Sequence, residues 1–160
     1  MFIRSTLTEK DFINANFVLL YSKISTKIFT GFVLMFLIVS IITAAFLARG
    51  SFSQVLTPVL MMAALPLMTY FTAKRNFNTN LRNGEAIEYH FDPDNLSMKG
   101  ESFNSQLTWG KIYKVTHTKN WLLIWQSRQM ANPIPKRDIA EGQIGDLKQI
   151  LDHHKVKNNL

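Results

Sequence analysis

The stretch IFTGFVLMFLIVSIITAAFLA, from Ile28 to Ala48, decides the fold, because it runs without a single charged side chain. A second uncharged run, VLTPVLMMAALPLMTYFTA, extends from Val55 to Ala73. About 20 helical residues, each rising about 1.5 Å, span a hydrocarbon core about 30 Å thick. Both runs have this length, so they predict an integral membrane protein with transmembrane helices over 28–48 and 55–73.

The short segment from Arg49 to Gln54 links the two runs. So short a link predicts an antiparallel helical hairpin, residues 28–73, whose outer flanks lie on the same side of the membrane. The link has one basic residue, whereas the flanks have five, Lys23, Lys27, Lys74, Arg75 and Arg82. The positive-inside rule then places both chain ends in the cytoplasm.

The polar content of the two spans bears on transport and on helix shape. Neither span contains Asp, Glu, Lys, Arg or His. Ionisable groups inside a membrane mark ion paths and proton relays, so their absence argues against a transporter or a monomeric channel and leaves an oligomeric pore open. Pro66 lies inside the second span and predicts a kink, whereas Pro58 lies near the start, where a missing N–H is tolerated.

Residues 1–27 are predicted to be a cytoplasmic amphipathic segment. Thr8 is a candidate helix cap, and Glu9 and Asp11 follow it in the first turn, where the helix dipole favours negative charge. Three arrangements remain open for this helix. It lies on the membrane surface, packs on the cytoplasmic domain, or extends the first membrane helix.

Residues 84–157 predict a cytoplasmic α+β domain. Short stretches of alternating apolar and polar residues, separated by turn signals such as Asp92–Asn95, are typical of antiparallel strands. A last apolar pattern, from Ile144 to His154, predicts an amphipathic helix. We expect a sheet of five or six strands capped by this helix, over 86–91, 96–98, 102–109, 113–117, 121–125 and 130–134.

The sequence offers little catalytic chemistry. There is no cysteine, which excludes disulfides and thiol catalysis, and there is no Ser-His-acid spacing, glycine-rich phosphate loop or HExxH motif. His153 and His154 are adjacent rather than four positions apart, so they do not share a helix face for a metal ion. We therefore expect no enzyme activity, no cofactor and no metal site. We interpret the net charge of +7 as the positive charge expected beside membrane spans, since no motif for nucleic-acid recognition accompanies it.

Six residues are candidates for contact with lipid headgroups or with a partner. Basic residues close to an anionic membrane surface each contribute about 1 kcal/mol of attraction. Trp109, Trp121 and Trp125 either line a pocket or belong to the core, and Trp121 follows a turn from which it can reach headgroups. Arg137 precedes Asp138, which favours a local ion pair. The candidates are Lys74, Arg75, Arg82, Trp121, Lys136 and Arg137.

Three stretches carry a resemblance to a known family. LTWGKIYKV (107–115), TKNWLLIW (118–125) and IPKR (134–137) resemble the C-terminal domain of the YcxB-like family, although Asn132-Pro133 departs from its pattern. The resemblance implies a bacterial inner-membrane protein in which a two-helix hairpin precedes a pleckstrin-homology-like (PH-like) domain. It implies a fold rather than an activity.

Three functions are consistent with these features. The first is a non-enzymatic inner-membrane protein whose cytoplasmic domain binds a protein or lipid partner. The second is a membrane-anchored immunity protein against a toxin, for which a neighbouring toxin gene would be the sign. The third is a ligand-gated membrane effector whose helices assemble with those of other copies.

Overall fold

A computed structural model describes residues 1–46 and 52–160, which divide into two compact units. One unit contains Met1–Ala15 together with Phe77–Leu160, and we call it the sheet unit. The other contains Asn16–Asn76, and we call it the hairpin unit. The sheet unit is thus assembled from two stretches of chain, and the whole hairpin unit lies between them in the sequence.

The hairpin unit holds helices α2 (Ile24–Phe46) and nearly all of α3 (Phe52–Thr79). Both helices are long and apolar enough to cross a membrane, as the sequence predicts. Only 11% and 6% of the residues in their most apolar windows are buried. A core helix of a water-soluble protein would be mostly buried, so these helices present their apolar surface outward.

Helix α3 begins before the predicted second span, which starts at Val55. Helix α3 begins at Phe52, so the last part of the predicted link is helical, while residues 47–51, including Arg49, lie outside the described residues. Pro58 therefore lies in the second turn of α3 and not near the helix start as predicted.

The hydroxyls of Ser40 and Thr69 donate to carbonyl oxygens one turn earlier in their own helices, each at 2.8 Å. These bonds satisfy polar groups that a membrane would leave without water.

The first sheet of the sheet unit has four antiparallel strands in the order β1-β2-β3-β4. Strand β1 pairs with β2 from Phe2 opposite His90 to Thr6 opposite Ala86. The strands are β1 (Phe2–Thr6), β2 (Ala86–Phe91), β3 (Asn95–Lys99) and β4 (Asn104–Thr108). The turn predicted at Asp92–Asn95 joins β2 to β3, closed by a bond from the Asp92 N–H to the Asn95 carbonyl at 2.9 Å.

A second antiparallel sheet and a helix complete the unit. Its strands are β5 (Lys114–His117), β6 (Trp121–Trp125) and β7 (Ala131–Pro135), in that order, and helix α4 (Gln143–His153) follows. Six strands lie in the predicted stretch, as β2 to β7, but they belong to two sheets and not to the single sheet that was expected. Strand β1 adds a seventh among the described residues, from the N-terminal segment where only a helix was expected.

Helix α1 (Glu9–Ser22) starts where the sequence predicts it. The Thr8 hydroxyl accepts the Asp11 N–H at 3.2 Å, and the Asp11 carboxylate accepts the Thr8 N–H at 3.0 Å. This reciprocal pair is a capping box, which satisfies donors that the first helical turn leaves unbonded. Helix α1 ends at Ser22 and α2 begins at Ile24, so the two helices are separated at Lys23.

Strands β1 and β2 are neighbours in the sheet, yet residues 7–85 lie between them in the chain. All three helices α1, α2 and α3 fall within this insertion. The antiparallel register puts Thr6 opposite Ala86, so the insertion leaves and re-enters the sheet at the same end. The hairpin is therefore an insertion into the sheet unit and not a separate N-terminal anchor.

One core joins both sheets to α4. It includes Phe91 and Leu96 from the first sheet, Leu122 and Ile134 from the second, and Leu151 from α4.

The three tryptophans are all buried, which confirms the interpretation of these rings as packing residues. Trp109 belongs to the shared core, and its indole N–H donates to the Asp92 carbonyl at 3.1 Å. The Trp125 indole N–H donates to the Thr116 hydroxyl at 2.8 Å. Each of these two rings thus buries its apolar surface while its one polar group stays bonded.

The segment after α4 closes the open edge of β5. The Val115 N–H donates to the Lys157 carbonyl at 2.9 Å, and the His117 N–H donates to the Asn159 side-chain oxygen at 2.6 Å. An edge strand presents unpaired backbone groups that promote aggregation. The C-terminal segment binds those two groups of β5.

Candidate functional site

The sequence-predicted residues Trp121, Lys136 and Arg137 come together where β7 ends. Trp121 starts β6 and pairs with Pro135, the last residue of β7. The next residues, Lys136–Asp138, form a single 3-10 turn, and the Lys136 N–H donates to the Asn120 carbonyl at 2.9 Å. Pro133 lies inside this edge strand and Lys136 still bonds to Asn120, so the prolines do not interrupt pairing with β6, and the chain turns only after Pro135. We call this turn the basic corner.

Arg137 is bound within the sheet unit and is only partly available to a ligand. Its guanidinium donates two bonds to the Asp11 carboxylate, at 2.9 and 2.6 Å, which is the fork-to-fork geometry of a strong ion pair. The bonds from Arg137 and Thr8 hold the pKa of Asp11 well below its usual range, and Asp11 raises the pKa of Arg137 in turn. Arg137 therefore connects the basic corner to the first turn of α1.

A second bond joins the basic corner to the N-terminal segment. The Ser5 hydroxyl of β1 donates to the Asp138 carboxylate at 2.6 Å. Asp138 also lies 3.5 Å from the Arg137 guanidinium, so the local ion pair predicted from the sequence is present. Together Ser5, Asp11, Arg137 and Asp138 form a polar clamp that fixes the corner to the start of the chain.

Lys136 is the exposed lysine of the basic corner. Partial burial lowers the pKa of His117 on β5, and the positive charge of Lys136 lowers it further. The neutral form of His117 is thereby favoured, and its buried Nε2 atom has no hydrogen-bond partner among the described residues. Trp121 is buried beside the corner, so its ring packs within the protein instead of projecting toward headgroups.

The other three predicted residues lie elsewhere. Lys74 and Arg75 are in α3, within the hairpin unit, beyond the end of the predicted span. Arg82 lies in a short 3-10 helix, Leu81–Gly84, and its guanidinium carbon is 6.0 Å from the centre of the Phe103 ring. Arg82 is close enough to Glu85 to help lower the pKa of that carboxylate, whose main partner is Ser102. Lys74 and Arg75 thus belong to a different unit from the basic corner.

Two histidines line a shallow cleft at the end of α4. His154 contacts the Pro93 carbonyl and stacks on Trp109, with ring centres 5.9 Å apart. It therefore anchors the β2–β3 turn to the helix. Within residues 1–46 and 52–160, no group of three or more His, Asp or Glu side chains is arranged to hold a metal ion. The cleft is lined by Pro93, Asp94, Gln149, Ile150, His153 and His154.

Sequence reasoning missed Asp11 and Ser5 as partners of the basic corner. Asp11 was explained by the helix dipole, which is a local effect, and Ser5 was given no role. The contacts join residues 126 and 133 positions apart. Strand β1 gives no alternation of residue type, because Phe2 and Ile3 are both apolar and the next three residues are polar. Only burial alternates along the folded strand, with Ile3 and Ser5 buried.

Comparison with known proteins bears on the second half of the chain. The sequence model of the family described as YcxB-like protein matches residues 91–151, from the last residue of β2 into α4. This confirms the resemblance predicted from the sequence over those residues. The match contains all three tryptophans and the basic corner, and it does not reach the clamp partners Ser5 and Asp11. No curated protein and no solved structure matches the chain.

Proposed function

We propose that this chain, with its YcxB-like region, is a non-enzymatic protein of the bacterial inner membrane whose cytoplasmic domain binds a partner at the membrane surface. The observation that carries the proposal is the insertion of both apolar helices between the paired strands β1 and β2. A chain that leaves and re-enters one sheet must cross the membrane an even number of times. Two crossings put both parts of the sheet unit on the same side.

The strand arrangement supports a PH-like identity for the sheet unit. The resemblance implies a small PH-like domain, and the sheet unit has antiparallel sheets of four and three strands that share one core with a C-terminal helix. PH-like domains are binding modules. The aromatic side chains that were candidates for a pocket, such as Trp109 and Trp125, are buried in the described sheet unit and serve its packing. We infer that the fold serves to hold a partner next to the bilayer.

The partner is a lipid headgroup or a protein, and the basic corner is the surface we assign to it. Lys136 is exposed there, while the polar clamp holds the turn in position through Arg137. Charge near the cytoplasmic leaflet attracts anionic lipid and acidic protein alike. Lys74, Arg75 and Arg82 flank the spans and add to this attraction under the positive-inside rule.

Cysteine labelling tests the topology directly, because the chain has no native cysteine. Ser51→Cys in the link and Ser127→Cys in the β6–β7 turn are matched serine replacements. We expect a membrane-impermeant maleimide to label Ser51→Cys in intact spheroplasts and to label Ser127→Cys only after lysis. Labelling of Ser127→Cys in intact spheroplasts would overturn the proposed orientation.

Photo-crosslinking tests the binding surface. A benzoylphenylalanine at position 136 is expected to capture phospholipid or protein in cells, and one replacing Gln106, which is exposed on the first sheet, is the control. Equal adducts at both positions, or none at either, would count against the basic corner.

A further inference from the structure

Nearly all of the net charge lies in one part of the sheet unit. Residues 102–137, which hold β4 to β7, contain six basic side chains and no acidic one. The whole chain has a net charge of +7, so the remainder of the chain carries only +1. Such a one-signed region attracts anionic partners and raises their rate of association.

The end of the second sheet farthest from the basic corner exposes apolar side chains. Tyr113 and Met130 have 46% and 62% of their surface exposed, which sets them apart from the buried core next to them. The Tyr113 N–H donates to the Trp125 carbonyl at 2.8 Å, and the Gln126 N–H donates to the Met130 carbonyl at 3.0 Å. The Gln126–Met130 bond continues the β6–β7 register. The Tyr113 bond lies one residue out of the β5–β6 register, so Tyr113 and Lys114 both lie opposite Trp125. Tyr113 and Met130 therefore flank the same end of β6.

Three cations lie within two residues of Tyr113 or Met130 in the sequence. The Lys114 ammonium lies 5.8 Å from the centre of the Tyr113 ring and 4.7 Å from that of Trp125. Lys111 is exposed just before Tyr113, and Arg128 is exposed in the β6–β7 turn. We call Lys111, Tyr113, Lys114, Arg128 and Met130 the tyrosine patch.

The tyrosine patch and the basic corner lie at opposite ends of the same strands. Strand β7 runs from Ala131, beside the patch, to Pro135, beside the corner. Four steps of about 3.3 Å separate these ends by about 13 Å. The tyrosine patch and the basic corner are therefore separate surfaces of the sheet unit.

We propose that the tyrosine patch docks an acidic peptide segment of a protein partner, one that carries an apolar or aromatic side chain. This inference rests on the proposed binding function and names its partner chemistry. Tyr, Met and Arg are enriched at protein interfaces, and an exposed aromatic ring among cations is a typical anchor. Acidic residues of the segment pair with Lys111 and Arg128, and its apolar side chain packs between Tyr113 and Met130.

A defined acidic polymer provides the probe. The full chain in nanodiscs of zwitterionic phosphatidylcholine is titrated with fluorescent poly(Glu,Tyr), and binding is followed by anisotropy. Lys111→Glu with Arg128→Glu should weaken binding at least tenfold. The matched control, Lys119→Glu with Lys157→Glu, makes the same change of net charge at two exposed lysines outside the patch and should weaken binding less than threefold.

The apolar contribution is tested separately. Tyr113→Ser with Met130→Ser leaves every charge in place and should weaken poly(Glu,Tyr) binding at least fivefold, while binding of poly-Glu falls less than twofold. Equal losses for the two polymers would show that the apolar pair adds nothing, and would overturn the apolar part of the proposed docking.

Other outcomes would overturn the proposal as a whole. Equal losses in the two charge-reversal variants would show that only net charge matters, and a lack of binding by the wild type would remove the peptide. Binding to phosphatidylglycerol vesicles that depends on Lys111 and Arg128, without binding to the polymer, would replace the peptide with a lipid. The cysteine-labelling result is independent of these outcomes, so failure of the topology is distinguished from failure of the patch.

Discussion

Removing the charge of Asp11 should destabilise the sheet unit by about 2 kcal/mol, a value between those typical of exposed and of buried ion pairs. The Asp11 side chain is 12% exposed, whereas that of Arg137 is 55% exposed. Exposed ion pairs contribute about 0.2–1 kcal/mol, and breaking a buried pair costs about 3–5 kcal/mol. The water around Arg137 screens this pair to an intermediate value. In Asp11→Asn the amide oxygen still caps α1, so the change removes mainly the ion pair.

Tryptophan fluorescence isolates the effect, because all three tryptophans lie in the sheet unit. The full chain in detergent micelles is unfolded with urea. The wild type, Asp11→Asn, Arg137→Gln and the double variant form a double-mutant cycle. We expect this cycle to give a coupling energy of about 1.5 kcal/mol between the two side chains. Glu88→Gln is the control, since it makes the same carboxylate-to-amide change at a more exposed site and should cost less than about 0.5 kcal/mol. A coupling below about 0.3 kcal/mol, which is within the error of additivity, would refute the reasoning.

The same pair predicts an acid dependence. The pKa of Asp11 is lower in the folded chain than in the unfolded one, so the unfolded chain takes up a proton first as the pH falls. The stabilisation is therefore fully present above about pH 4, the ordinary range of an aspartate, and is lost below it. The difference between wild type and Asp11→Asn should shrink steadily as the pH is lowered below about 4. A difference that stays constant down to about pH 2.5 would contradict this assignment.

Three further outcomes test other parts of the sheet unit. Burial raises the pKa of Tyr89, so stability should fall as the pH rises above about 10, and Tyr89→Phe should remove that loss in a urea series at increasing pH. Gly100→Ala places a methyl group 2.5 Å from the Phe103 ring and 2.7 Å from the Glu85 carboxylate, which should cost about 1–2 kcal/mol in the urea assay; an unchanged midpoint would show that both side chains move away freely. Lys155 has a φ of 55°, a left-handed conformation, so Lys155→Gly should stabilise the chain by about 0.5 kcal/mol, and a loss of stability would contradict this.

The hairpin and most strands were predictable because their signals are local. The charge-free run over 28–48 or a strict alternation such as Tyr113–His117 needs no knowledge of the rest of the chain. Helix α4 and the Thr8 cap were predicted for the same reason. Strand β1 was not, since a short stretch before a helix cap does not reveal a partner that begins only at Ala86.

The candidate site was predictable only in part. The sequence placed Lys136 and Arg137 at a corner after a proline, and the structure has them there. It did not show that Arg137 is committed to Asp11 or that Trp121 is buried, because both depend on how the chain packs in three dimensions. The tyrosine patch likewise depends on strand pairing, which brings Tyr113 and Met130 to the same end of the second sheet although the whole of β6 lies between them in the chain.

The insertion between β1 and β2 also dictates an order of events during biosynthesis. Strand β1 leaves the ribosome first, but its partner β2 follows only after both apolar helices have been made. At about 5–20 residues per second, β1 waits roughly 4–16 s with its backbone groups unpaired. Under the proposed topology, the hairpin can therefore enter the lipid phase before the sheet unit forms, and a nascent chain stalled before Ala86 would carry an anchored hairpin with no folded domain.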